Sequence, residues 1–235
     1  MAVLQIRDIY YDWQDEEIKH TCLQYFNEED IKNSRFWNKT IHDEYAKKNA
    51  AFLFLTSSGD NIMNDIDTIK MRTASQESLN TRKIYREKQS NNDISWCIAA
   101  AGTQRWADLL FKNEANNKEK LWELIFDICL VNEDNPCNAW LNKMNENSLM
   151  CQKLTNLNIK ELHYLSDNGT NFKVELPKNA IWCGGSSDIH GNNLIVNLPT
   201  EEVFTTPNKY KTNGIVYTSL PLVHSGIIIK DIMFI

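Results

Sequence analysis

Two short, continuous apolar runs constrain this chain more than any other feature: Ala51-Phe52-Leu53-Phe54-Leu55 and Ser95-Trp96-Cys97-Ile98-Ala99-Ala100-Ala101-Gly102. A strand that is apolar at successive positions, rather than alternate ones, fits the interior of a parallel sheet with helices on its faces. The first run ends at Ser57-Ser58-Gly59-Asp60 and the second at Gly102-Thr103, polar turns of the kind that follow strands. Around them the pattern turns helical. Residues 14–26 read as a helix with acids in its first turn, where the macrodipole favours them. Residues 66–91 read as one long polar helix that can bury a single narrow face. Three further helices are expected. One covers 104–111. The next, 118–131, carries Leu121, Leu124, Ile125 and Ile128 at helical spacing, with Trp122, Phe126 and Cys129 widening the apolar face. The last opens at Asn135-Pro136, with Asn as N-cap and Pro at the first helical position. It is expected to bury Leu141, Met144, Cys151 and Leu154. Residues 2–11 read as an opening strand.

Near residue 158 the character changes. Strand-like runs at 161–165 and 171–176 flank Ser166-Asp167-Asn168-Gly169-Thr170, and Asn-Gly in that position is a strong hairpin signal. Short strands are expected at 180–183, 194–198, 214–220 and 226–235. The fold class is therefore α/β: an N-terminal domain, residues 1–157, alternating strands and helices around a mostly parallel sheet, and a β-rich start of a second domain, 158–235. Both ends read as cut. The apolar final strand has no turn after it, and as a free edge it would invite aggregation; the opening strand arrives without a preceding βα unit.

Composition narrows the function classes. The chain has 235 residues, of which 42% are hydrophobic and 24% charged, with a net charge of -6. Its short basic runs, Lys47-Lys48 and Arg82-Lys83, are offset by nearby acids, so no nucleic-acid partner is expected. The first 20 residues contain Asp8, Asp12, Asp15, Glu16 and Glu17, which excludes a secretory h-region in that stretch. No apolar run approaches the ~20 residues of a membrane helix, so no membrane partner is expected. Six cysteines without a CxxC pair suit reduced, mostly buried thiols and a cytoplasmic location. The sequons Asn38-Lys39-Thr40 and Asn168-Gly169-Thr170 then carry no glycan.

The standard catalytic words HExxH, GxGxxG, GxxxxGK[ST] and GxSxG do not occur. Gly184-Gly185-Ser186-Ser187-Asp188 lacks the final glycine of a nucleophile elbow and reads as a polar turn joining strands. Ala100-Ala101-Gly102-Thr103 has one glycine and reads as a strand-to-helix turn. Of the five dispersed histidines, His20 and His42 are expected to face solvent, and His163 and His224 to pack within strands. His190 precedes Glu201-Glu202 and could approach it. That acid pair stands in Asn197-Leu198-Pro199-Thr200-Glu201-Glu202-Val203-Phe204-Thr205-Thr206-Pro207, on a short, strand-like segment bracketed by prolines. Adjacent carboxylates so placed are costly unless a cation compensates them. Adjacent strand residues point to opposite faces, so at most one of the two naturally faces a given site. Residue chemistry leaves open which one, and whether the pair binds a cation or faces solvent.

The eleven-residue word from Asn197 to Pro207 closely resembles a signature of the thermophilic-aminopeptidase family of metallopeptidases, the AmpS/PepS type. Trp182-Cys183-Gly184-Gly185 is similar to the family's aromatic-x-Gly-Gly turn. Leu121-Trp122-Glu123-Leu124-Ile125-Phe126, Asp134-Asn135-Pro136 with Trp140, and Gln104-Arg105-Trp106-Ala107 resemble further family segments in the same order. The resemblance implies a cytoplasmic metallo-aminopeptidase that releases N-terminal residues from peptide substrates, forms a homodimer at full length, and uses two divalent metal ions, with zinc, cobalt and magnesium not distinguished. It implies that Glu202 is a metal ligand and Glu201 its neighbour. The family's other ligands, a glutamate, two histidines and an aspartate, lie beyond this motif, so the resemblance also implies an internal fragment. The alternative is a catalytically inactive fragment or non-catalytic α/β module. A third reading is a small-molecule binder or thiol hydrolase using Cys97 or Cys183 with a histidine.

Overall fold

The computed structural model describes residues 8–33, 36–57, 62–112, 114–224 and 227–234. In chain order the elements are α1 (Glu16–Tyr25), α2 (Glu28–Asn33), α3 (Phe36–Lys47), β1 (Phe52–Thr56), α4 (Thr68–Asn80), α5 (Lys83–Ser90), β2 (Trp96–Ala100), α6 (Gln104–Leu110), α7 (Asn117–Ile128) and α8 (Pro136–Asn156). A strand-rich portion follows: β3 (Glu161–Leu165), β4 (Asn171–Glu175), β5 (Cys183–Gly184), β6 (Ser187–Ile189), β7 (Asn192–Leu194), β8 (Asn197–Leu198), β9 (Val203–Phe204), β10 (Thr212–His224) and β11 (Ile227–Phe234).

The two apolar runs become β1 and β2, paired in parallel with Phe52 opposite Trp96 and Thr56 opposite Ala100. The third strand of that sheet is β8, also parallel, with Ile98 opposite Asn197. A strand from beyond residue 157 thus joins the sheet begun by β1 and β2. On one face Phe52 and Phe54 pack against Ala46, Tyr85 and Ile94. Leu53 and Leu55, on the opposite face, remain 66% and 65% exposed. The expected burial on both faces is therefore realised on one face of β1. Helices α6 and α7 form their cluster with Ala100 and Leu198, at β2 and β8, and not over β1.

Several expectations need correction. Residues 8–11 are not a strand, and residues 2–7 of that expected strand lie outside the described residues. Side chains hold the segment instead: Tyr10 stacks on Tyr45, and Asp12 approaches His42 and Arg82. His42 is itself buried rather than solvent-facing, between Phe52 and Tyr85.

The long helix at 66–91 is two helices, broken at Thr81-Arg82. They serve different cores. Met71 and Ala74 of α4 pack on Leu23, Ile31 and Ile66, whereas Tyr85 of α5 packs on the sheet. One straight helix with a narrow apolar face cannot reach both. The second start is secured across the fold, where the Tyr85 amide donates to the Asp43 carboxylate at 2.9 Å.

Helix α8 begins as expected, its Asn135 side chain accepting from the Asn138 amide. It buries Trp140 and Cys151, with Met144 and Leu154 half-buried, but Leu141 is 54% exposed. The Trp140 indole donates to the Cys129 carbonyl at 2.7 Å and so fixes the rotation of the helix. Leu141, about 100° further round, is turned outward.

The hairpin forms as expected, with Leu165 opposite Asn171 and Gly169 at φ +97 inside the turn. Its strands lie in a four-stranded sheet of order β11-β10-β4-β3. Of the strand expected at 180–183, residue 183 alone is in a ladder, because the Trp182 amide donates to the Thr155 hydroxyl of α8 instead. Ser187 and Asp188, read as part of a polar turn, pair with β7 in β6, and the expected strand at 194–198 is split between β7 and β8.

Candidate functional site

The acid pair is strung between two sheets. Leu198, just before it, is the last residue of β8 on the edge of the parallel sheet, and Val203, just after it, opens β9. Strand β9 pairs antiparallel with β5, Cys183 opposite Phe204 and Gly184 opposite Val203. This closure depends on a missing side chain. A Cβ on Gly184 would lie 2.2 Å from the Glu202 carbonyl oxygen and 2.9 Å from the Val203 Cα. A Cβ on Gly185, at φ +83, would lie 2.9 Å from the Asn147 Cβ. The Gly-Gly turn therefore lets β9 and α8 both approach β5.

Helix α8 holds the assembly from the other side. Lys143, Asn147, Cys151 and Thr155 recur every four residues and share one face. Thr155 Oγ1 accepts from the Trp182 amide at 3.0 Å, and Asn147 lies under Gly185. At the far end of the stripe Lys143 Nζ donates to Glu201 Oε1. Sequence reasoning missed Lys143 and Asn147 as members of this site; their four-residue spacing with Cys151 and Thr155 was the available signal.

The two acids consequently differ. Glu201 is engaged by Lys143, whereas Glu202 is exposed and has no ion-pair partner among the described residues. The sequence reading named Glu202 through resemblance; the ion pair gives a separate physical distinction between the two carboxylates.

The histidines are occupied elsewhere. His190, in the β6–β7 turn, bonds through Nε2 with the Asp93 carbonyl at 2.8 Å and is not brought to the acids. His163 bonds to Asn171 at 2.9 Å and His20 to Asp65 at 2.7 Å. The hydrogen bond from His20 is also the main reason that the Asp65 carboxyl sits below its ordinary value. The side chain of His224 lies outside the described residues. Among the described residues no three or more His, Cys, Asp or Glu side chains gather as a metal-holding group. A divalent cation takes several ligands, about four for zinc and six or more for magnesium or calcium, so Glu202 with these surroundings does not make a metal centre by itself.

Cys97 fares no better as a catalytic nucleophile. Burial pushes the Cys97 thiol above its ordinary value, against the thiolate that catalysis would need. A shallow depression of about 390 Å³ lies at Asp127, Leu130, Asn132, Glu133 and Asp134, after α7, and does not include the acid pair.

The chain is similar to known proteins. The chain is 31% identical over 231 residues to aminopeptidase AmpS of Bacillus subtilis (strain 168), covering 96% of this chain and 55% of that protein. It is 29% identical over 226 residues to aminopeptidase 2 of Geobacillus stearothermophilus, covering 95% and 54% respectively. The chain thus spans about half the length of the curated relatives it matches. The solved structure of wild-type AmpT from Thermus thermophilus superposes with a TM-score of 0.80 at 24% identity, over 95% of this chain and 56% of that one, which is a likeness of fold. The model of the thermophilic metalloprotease family M29 matches residues 4–235, nearly the entire sequence. With its Gly-Gly turn and clamped acid segment inside that match, the chain belongs to the M29 family of thermophilic metalloproteases.

Proposed function

We propose that the protein is a metal-dependent aminopeptidase acting on peptide N-termini, in which Glu202 contributes one carboxylate ligand to a divalent metal ion. The observation that carries this reading is the contrast within the acid pair. Lys143 neutralises Glu201, and Glu202 keeps an exposed carboxylate, without an ion-pair partner among the described residues, on a segment anchored at β8 and at β9. A carboxylate held this way is an oxygen donor suited to a hard cation. The remaining donors of the two-ion centre that the family resemblance implies are proposed to come from outside the described residues. Cytoplasmic location, a homodimeric full-length form, and a division of the chain into units of 1–157 and 158–235 belong to the same proposal. Among the described residues no helix is long and apolar enough to cross a membrane.

The decisive experiment compares Glu202 with Glu202→Gln in the full-length protein. Metal content by elemental analysis and turnover of an aminoacyl-nitroanilide are both expected to fall, turnover by orders of magnitude. Near-wild-type values for both would sink the assignment.

A second reading concerns residues 1–235 by themselves. Because the described residues gather no group of three or more metal-capable side chains, this stretch alone is proposed to be non-catalytic. Elemental analysis of the purified chain is expected to find no tight stoichiometric metal. Two tightly held ions would overturn this.

A further inference from the structure

Asn147, Cys151 and Thr155 stand at four-residue intervals on α8, and the two outer residues are both seated on the β5 segment. Asn147 Cβ is 2.9 Å from where a Gly185 Cβ would be, and Thr155 Oγ1 accepts from the Trp182 amide at 3.0 Å. Cys151 lies midway along this stripe, and Cys183 lies between Trp182 and Gly185 on the strand, so the contacts at either side bring the two cysteines opposite one another. A Cβ on Gly185 would meet Asn147 of α8, so the segment directly after Cys183 lies against that helix. The Cys151 thiol is pushed up by burial and then by the neighbouring Cys183, an electrostatic sign of the same proximity. The pair is asymmetric: Cys183 is exposed and Cys151 buried.

We propose that Cys151 and Cys183 form an oxidative modification site, a dithiol that closes to an intramolecular disulfide on reaction with a small-molecule disulfide. The exposed Cys183 thiolate attacks one sulfur of the oxidant, breaking its S–S bond and releasing one thiolate. Cys151 loses its proton and attacks the Cys183 sulfur of this mixed disulfide, releasing the second thiolate. The two protein thiols are oxidised by two electrons, the small disulfide is reduced to two thiols, and the two protons pass to the leaving thiolates. The bond closes the loop from 151 to 183 and ties β5 to α8. Because β5 pairs with β9 directly after Glu202, oxidation stiffens the mounting of that carboxylate; this consequence, unlike the bond itself, rests on the role proposed for Glu202.

The test incubates the native chain with glutathione disulfide, digests it with trypsin without reductant, and identifies linked peptides by mass spectrometry. Peptides 144–153 and 179–209, each with one cysteine, are expected as the dominant cross-link, lighter by two hydrogens than their sum and separated by dithiothreitol. Cys151→Ala is expected to trap Cys183 as the mixed disulfide with glutathione, and Cys137→Ser, which removes the other exposed cysteine, is expected to leave the cross-link unchanged. Amide exchange at Val203 and Phe204 is expected to slow in the oxidised chain. If native Cys183 accumulates only as the glutathione adduct, or pairs with Cys137, the proposal is wrong. None of these readouts involves metal, so their failure is distinct from failure of the Glu202 assignment.

Discussion

Lys143 of α8 donates to the carboxylate of Glu201, fifty-eight residues further along the chain, and so separates two adjacent acids that are chemically alike. Its side chain is 30% exposed and that of Glu201 68%. An ion pair this open is worth little energy, in the range of about 0–1 kcal/mol. Its consequence is directional: one carboxylate is tethered to a rigid helix and the other is left available.

Lys143→Met is therefore expected to lower global stability by less than about 1 kcal/mol, because screening by water limits the pair. Urea denaturation measures this. The charge-reversed pair Lys143→Glu with Glu201→Lys is expected to recover most of the loss of either single change. A loss of several kcal/mol from Lys143→Met, which keeps an apolar stem of similar length, would mean that the ion pair is worth far more than its exposure allows.

Gly184→Ala should be far more damaging. A Cβ placed 2.2 Å from a backbone carbonyl cannot be relieved by turning a side chain, so β5 and β9 must part. We expect a cost of about 3 kcal/mol or more, in the range of strongly strained substitutions. Loss of amide-exchange protection at Val203 is the local readout, and a variant as stable as the parent would refute the close approach.

Alkaline titration tests the core around β1. Burial pushes the Tyr85 phenol from 10.0 up to about 12, with Arg82 and Arg86 opposing. The folded state then holds its proton where the unfolded chain has lost it. The contribution is fully present below pH 10 and disappears as pH rises towards 12. Stability is expected to fall through that window, and Tyr85→Phe to flatten the decline. An unchanged slope in Tyr85→Phe would place the alkaline sensitivity elsewhere.

Much of the fold was legible where the signal is local. Two apolar runs gave a parallel strand pair because backbone pairing with cover by helices is what continuous Phe, Leu, Ile and Ala sequences favour. Asn168-Gly169 set the hairpin and Asn135-Pro136 set the start of α8, since each supplies the dihedrals or the cap that its position needs. The break at Thr81-Arg82 was not legible. It exists because Asp43 caps α5 and because two separate cores claim α4 and α5, neither of which is a property of residues 66–91.

The same division runs through the site. By itself the sequence determined that two carboxylates stand on a proline-bracketed segment after a Gly-Gly turn, and through its motifs it identified the family. Tertiary structure alone decided how the pair is used. The β8 pairing to β2, the β9 pairing to Gly184, and the reach of Lys143 to Glu201 join residues tens of positions apart. Periodicity reports which way a side chain points on its own element, but not which distant group will meet it. Packing made that choice, engaging Glu201 and leaving Glu202 without an ion-pair partner among the described residues.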